Sequence, residues 1–182
     1  LEEHGHIRVH STRVRAGGIH RSALRQIGRY DEIQSADWVF VCDADEFLNI
    51  HVGDGTVQSL VEATGEAADV ISVPWRIFGP AGRASFEDAR VTEQFTKAEL
   101  PFDPVERPDT GKFVKSLYRP SNKIKRMGLH SPVAHDEALD DFKWVLAGGG
   151  VYVDRGKRTT EPPVFDLAQV NHYALRSLDS YL

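Results

Sequence analysis

Trp38-Val39-Phe40-Val41-Cys42 runs straight into Asp43-Ala44-Asp45-Glu46, so five apolar residues are followed by three acids in four positions. Carboxylates this close repel one another unless a cation or a well-hydrated loop receives them. In extended backbone alternate side chains project to the same side, which places Asp43 and Asp45 together. That is the hard-oxygen pair with which Mg2+ or Mn2+ is held against phosphate oxygens. An isolated Asp-x-Asp is equally well explained as an acidic loop. The apolar run before it favours the metal, because ligands of open α/β sheets bind just beyond the carboxyl ends of buried strands. Trp38 to Cys42 itself reads as a strand buried on both faces and central in a mainly parallel sheet, with Cys42 a small core residue.

Positive charge is concentrated elsewhere. Arg107, Lys112, Lys115, Arg119, Lys123, Lys125 and Arg126 stand in one segment with Asp109 as its only acid, in a chain whose formal net charge is -5. A basic segment beside a metal-type acid pair suits an anionic substrate held by both, while a solvated basic strand or loop accounts equally well for any one of these residues.

The elements that would position these groups follow from periodicity and breakers. Ile7 to His10 alternates like a short strand, and His20 to Ile33 reads as a helix with an arginine stripe of Arg21, Arg25 and Arg29 facing solvent. Asp54-Gly55-Thr56 offers a helix start and Gly65 its end. Asp69 to Trp75 returns as a strand, giving the strand-helix-strand unit of a parallel sheet. Arg76 to Arg83 is a turning loop, Val91 to Leu100 a short helix, and Pro101 to Gly111 an irregular crossing. Phe113 to Tyr118 is a strand bearing Lys115, and Asn122 to His135 is hairpin-like with a turn or bulge at Met127-Gly128. Tyr152 to Asp154 and Asp166 to His172 are the last strands.

With WVFVCDADEFL on the page, three more stretches gain meaning: Pro74-Trp75-Arg76-Ile77-Phe78-Gly79, then Lys115 to Pro120 with Gly128-Leu129-His130-Ser131-Pro132, and Asn171-His172-Tyr173-Ala174-Leu175-Arg176-Ser177. Together and in this order they resemble GT-A fold glycosyltransferases, specifically the family 2-like bacterial group related to family 92. The resemblance runs from about Leu24 to the end. It implies a Rossmann-like α/β domain whose first strand and helix, which help to hold the nucleotide base, would precede this segment of a longer chain. It also implies transfer of a sugar from a nucleotide-diphosphate donor to a glycan acceptor hydroxyl, with inversion.

On that resemblance Asp43 contacts the metal and ribose, Asp45 reaches the Mn2+ or Mg2+ directly, and His172 completes the metal shell. Lys115 and Arg119 would add cationic donors to the diphosphate, the His20-Arg21 end of the helix would lie near the nucleotide sugar with Arg21 as its contact, and His130 would face diphosphate or acceptor. Trp75 and Phe78 could stack on a sugar face, although an aromatic beside a strand also serves as core. A proton-accepting carboxylate is needed as well. Glu46, Glu87, Asp88, Asp136 and Glu137 are all available; none has an identifying spacing, and Asp136 is favoured because it follows the His-Ser-Pro segment.

Size and composition set the bounds. A chain of 182 residues with 41% hydrophobic content makes one domain with a sizeable core. Acidity argues against a nucleic-acid partner. No apolar stretch approaches the roughly 20 residues that cross a bilayer, and a single cysteine allows a reducing, cytoplasmic setting. Two alternatives remain: a metal-dependent phosphohydrolase, which would need a denser ligand set, and a non-catalytic sugar-binding domain of the same fold.

Overall fold

Val70, Ile71 and Val73 are wholly buried, and the strand they open, β3 (Val70–Ile77), is flanked on both sides. The computed structural model describes residues 7–100, 102–149, 157–159, 162–177 and 179. Before β3 come α1 (Gly18–Ile27), α2 (Asp31–Gln34), β1 (Val39–Phe40), β2 (Glu46–Ile50) and α3 (Val57–Thr64). After it come α4 (Val91–Gln94), β4 (Val114–Tyr118), β5 (Ile124–Arg126), β6 (Val133–Ala134), a 3-10 turn (Asp136–Asp141), β7 (Trp144–Leu146) and β8 (Ala168–His172). The main sheet runs β1-β4-β3-β8-β2, with β7 also on β3, and β5 and β6 form a separate hairpin. Among the described residues no helix is long and apolar enough to cross a membrane.

The domain is α/β with a mixed sheet, not the mainly parallel one expected. β3 is parallel to β7 and β8, whereas β1·β4, β3·β4, β2·β8 and β5·β6 are antiparallel. Pro74 explains part of this layout. A proline in a central strand removes a ladder donor, and here it falls between the two partners on one side, since β7 pairs with Val70 to Ser72 and β8 with Trp75 to Ile77.

Trp38 to Cys42 is not a central strand. Only Val39 and Phe40 pair, at the end of the sheet order, opposite Tyr118 and Leu117. The ladder stops there because Ser116 N donates to His130 O at 2.9 Å, so the 128–131 segment occupies the edge of β4 that β1 would otherwise extend along. Cys42 lies beyond the ladder and is exposed, not a core residue.

Other expectations shift for local reasons. Residues 7–10 are not in a strand, and the helix expected over His20 to Ile33 is two helices divided at Gly28 to Tyr30. The acid-rich segment expected to be loop becomes β2 from Glu46, and Trp144–Leu146 adds a strand with no periodic signal. The helix after Thr56 forms as expected, with the Thr56 side chain accepting from Ser59 N. The Tyr152 to Asp154 strand lies outside the described residues.

Two apolar clusters cover the two faces of the sheet. Leu60 and Val61 of α3 pack with Ile71, Val73, Leu117, Ala168 and Val170 on one face. Val70, Val114, Tyr118, Phe142 and Trp144 form the other. A buried hydroxyl chain ties this second face together: Trp144 Nε1 donates to Ser72 Oγ at 2.7 Å, Ser72 Oγ meets Ser116 Oγ at 2.7 Å, and Ser116 Oγ meets Ser131 Oγ at 2.9 Å. Ser72→Ala breaks the first two links, and disrupting buried hydrogen bonds costs about 1–3 kcal/mol. Thermal unfolding should then fall by about 2–4 °C for each kcal/mol; an unchanged midpoint would show that the chain contributes nothing.

Candidate functional site

Because side chains alternate along a strand, the register determines which residues share the face that α3 covers. β4 contributes Leu117 and Lys115, β3 contributes Ile71, Val73 and Trp75, β8 contributes Ala168, Val170 and His172, and β2 contributes Ile50, Leu48 and Glu46. Along three strands the face passes from aliphatic residues to Lys115, His172 and Glu46. α3 has eight residues, a span of about 12 Å at 1.5 Å per residue. It packs on the aliphatic part and leaves the polar end to other groups.

Lys115 is the anchor of that end. Its side chain is fully buried, and its ammonium donates to Glu46 Oε2 at 2.9 Å, to Asp43 Oδ2 at 3.1 Å and to Leu129 O at 2.9 Å. An ammonium has three donors, so all are used. Lys115 therefore positions the acids and has no hydrogen left for a diphosphate, contrary to the sequence expectation. Glu46 is equally buried and also accepts from Asp43 N at 2.9 Å. It closes the Asp43 to Glu46 turn and is not a base facing an acceptor.

Asp43 and Asp45 leave this turn in different directions. Asp43 Oδ1 faces His20 Nε2 at 3.8 Å, so His20, not Arg21, is the α1 residue that reaches the acids. Asp45 Oδ1 stands 3.8 Å from His172 Nε2, and its Oδ2 3.7 Å from Arg176 Nη2. A backbone bond from Tyr173 N to Asp45 O at 2.9 Å holds the two segments together.

Trp75 lies in the middle, with its ring centroid 4.3 Å from His172, 5.2 Å from His130 and 5.4 Å from Phe113. Three buried polar atoms lack a hydrogen-bond partner among the described residues: Glu46 Oε1, Trp75 Nε1 and His172 Nδ1. Buried polar groups are normally paired. These three fall in one neighbourhood, which is where a ligand or water would be needed.

The acids and histidine fit a divalent cation as a partial site. Three carboxylates face the two full cations Lys115 and Arg176, so the cluster keeps a negative excess. Asp45 and His172 form a ligand pair somewhat wider than the roughly 3 Å between adjacent ligands about 2.1 Å from such an ion. Asp43 is turned to Lys115 and does not join them. Among the described residues no three His, Cys, Asp or Glu side chains gather closely enough to hold a metal on their own.

Other expected site residues lie elsewhere. Arg119 is at the opposite end of β4, with its guanidinium 4.3 Å over the Trp38 ring and bonded to the carbonyls of Ala68 and Glu66. Asp136 opens the exposed 3-10 turn, whose far end at Asp141 O accepts from Lys123. Phe78 stacks on Tyr173 with centroids 4.8 Å apart, behind the site. Arg176, quoted in the sequence only as part of the 171–177 stretch, is the residue that the structure adds to the cluster, four positions after His172.

Compared with known proteins, the chain matches no family model, no curated protein and no solved structure.

Two measurements test this geometry. Removing one partner of a buried ion pair costs about 3–5 kcal/mol, so Lys115→Met should lose that much in urea unfolding, and Lys115→Met combined with Glu46→Leu should recover most of it. Equal loss in both would mean that the pair does not hold the turn. His130 supplies the second. Its Nδ1 donates to Val114 O at 3.1 Å; burial pushes its pKa below the ordinary value, the Val114 bond opposes this, and Lys115 adds to the lowering. Its contribution to stability is therefore complete above the unfolded value of about 6.5 and is lost as pH falls through the lower folded value. Thermal midpoints should decline on that acid side, less steeply in His130→Asn.

Proposed function

We propose that this chain is the catalytic part of a metal-dependent glycosyltransferase that moves a sugar from a nucleotide-diphosphate donor to an acceptor hydroxyl. The observation that supports it most is the meeting of Asp45, His172 and Arg176 beside the Lys115-Glu46-Asp43 anchor. These groups come from separated parts of the sequence and stand at one end of one sheet face. They are also members of the segments that resemble GT-A enzymes.

In this reading the acceptor oxygen bonds to the anomeric carbon as that carbon's bond to the diphosphate oxygen breaks, the acceptor's proton passes to solvent water, and the protein must neutralise the departing charge. Asp45 and His172 would hold Mn2+ or Mg2+, which supplies charge stabilisation to the diphosphate. Arg176 is about half exposed beside Asp45, and its guanidinium suits a phosphate oxygen. Asp43, oriented by Lys115, presents its second oxygen outward to His20 and would accept from a donor hydroxyl. A non-catalytic saccharide-binding domain is the second reading, favoured by the lack of a three-residue ligand cluster among the described residues. The same observation weighs against a two-metal phosphohydrolase.

The test is release of free nucleoside diphosphate from a panel of nucleotide sugars with Mn2+. Release is expected with at least one sugar, with turnover lowered about 100-fold by Asp45→Ala, in the range for loss of a group that stabilises developing charge. Arg119→Ala should leave it unchanged. Absence of release from every sugar, or turnover indifferent to Asp45→Ala, would reject the transferase.

A further inference from the structure

On the side of Trp75 that faces Phe113, the molecule carries two cavities of about 410 and 310 Å3 that share Glu99 and Thr110. Phe102 and Phe165 line the larger, with Arg76; Trp75 and Phe113 line the smaller. Gly111, with φ +67°, lines the smaller and packs against Pro163 and Phe165 of the larger: a Cβ there would come within 2.7 Å of Pro163 Cγ and 2.9 Å of Phe165 Cζ. The walls can approach only because this residue is glycine.

The chemistry of the walls defines the ligand. Flat aromatic surfaces alternate with single polar groups, the pattern of pockets that bind small molecules. Opposite charges are interspersed around the cleft, with Lys112 5.6 Å over the Phe102 ring. Glu99 is set against Arg76, and Asp109 is ion-paired with Arg158. A strongly anionic ligand thus meets an acid beside each arginine.

Glu99 Oε1 accepts from Ile77 N at 3.1 Å, and among the described residues Oε2 makes no bond. Burial raises the pKa of this carboxyl, opposed by the Ile77 bond and Arg76. A neutral molecule with many hydroxyls and flat C–H faces matches this set. Its faces would lie on the rings, and its hydroxyls would meet Glu99, Thr110 and Arg76.

We infer that the paired cavity between Trp75 and Phe102 is a binding cleft for a neutral saccharide, with Glu99 receiving one of its hydroxyls. Naming that saccharide as the acceptor rests on the transferase reading; the binding itself does not. Trp75 separates the cleft from His172, with ring centroids 4.3 Å apart, so a sugar held here ends beside the charged cluster.

The experiment titrates the full chain with maltotriose, cellotriose and chitotriose, and with 3'-sialyllactose as the anionic comparison, in the absence of nucleotide sugar. Tryptophan emission and saturation-transfer NMR report binding. At least one neutral trisaccharide should bind saturably, more tightly than the sialylated sugar. The emission change should vanish in Trp75→Phe, and affinity should fall about tenfold in Phe102→Ala and in Glu99→Gln. Phe102 is on a partly exposed loop, and circular dichroism verifies that each variant is folded.

No binding by any neutral probe, preference for the sialylated sugar, or affinity untouched by both Phe102→Ala and Glu99→Gln would overturn the inference. Nucleotide release is measured separately. Saccharide binding without release rejects only the transferase, and release without saccharide binding rejects only this cleft.

Discussion

A buried ammonium in the middle of a sheet is costly unless every hydrogen and nearly every neighbouring charge is matched, and Lys115 meets that condition through three acceptors from two parts of the chain. Asp43 and Glu46 come from the turn between β1 and β2, and Leu129 from the loop before β6. None of these segments has much apolar area of its own. The bonds to one nitrogen join these segments to each other, beside the backbone bonds that Ser116 N makes to His130 O and Tyr173 N to Asp45 O, so the acidic turn is part of the folded core instead of a solvated loop. This same arrangement removes Lys115 and Glu46 from solvent and leaves Asp43 and Asp45 partly exposed.

The end of the sheet where this happens is open for two structural reasons. α3 covers only the aliphatic rows of Leu60's cluster, since eight residues cannot extend over the whole face. β1 stops after two residues because the 128–131 segment takes its place on β4. If β1 had continued as the buried central strand that its composition suggests, Cys42 and Asp43 would have been carried into the sheet. Early termination releases the chain into the turn that Lys115 then captures.

How much of this could be read in the sequence depends on the range of the interaction involved. The α3 cap at Thr56, the β3 and β4 strands and the hairpin of β5 and β6 follow local periodicity, and the structure has them close to their expected bounds. Trp38 to Cys42 misled because a continuous apolar run reports burial without reporting which strand occupies the neighbouring edge. Asp45, Trp75, His130 and His172 were legible as residue types and lie close together, while Asp43 turns to Lys115. The role of Lys115 was not, since a lysine in a basic segment looks the same whether its ammonium meets solvent or a buried glutamate 69 positions away. Arg119 looked equivalent to Lys115, yet four residues along β4 moves it to the other end of the strand. Strand parity puts both on the same face, and only the position of the acids distinguishes them.

Trp75 marks the boundary between two electrostatically different halves of this surface. On one side stand Asp45, His172 and Arg176, with Asp45 close to both of the others. On the other stand Phe113 and the cleft of Glu99, where each arginine has an acid beside it. An indole is suited to that place: it is large enough to exclude water between the halves and has only one donor to satisfy. That donor, Nε1, is buried without a partner among the described residues. Desolvating an indole N–H without compensation is unfavourable, so the surrounding contacts must hold the ring against that cost. Stacking on Phe113 and contact with both imidazoles fix its plane. The ring is thereby fixed before any ligand arrives, and a molecule reaching either half meets a wall that does not need to be ordered on binding.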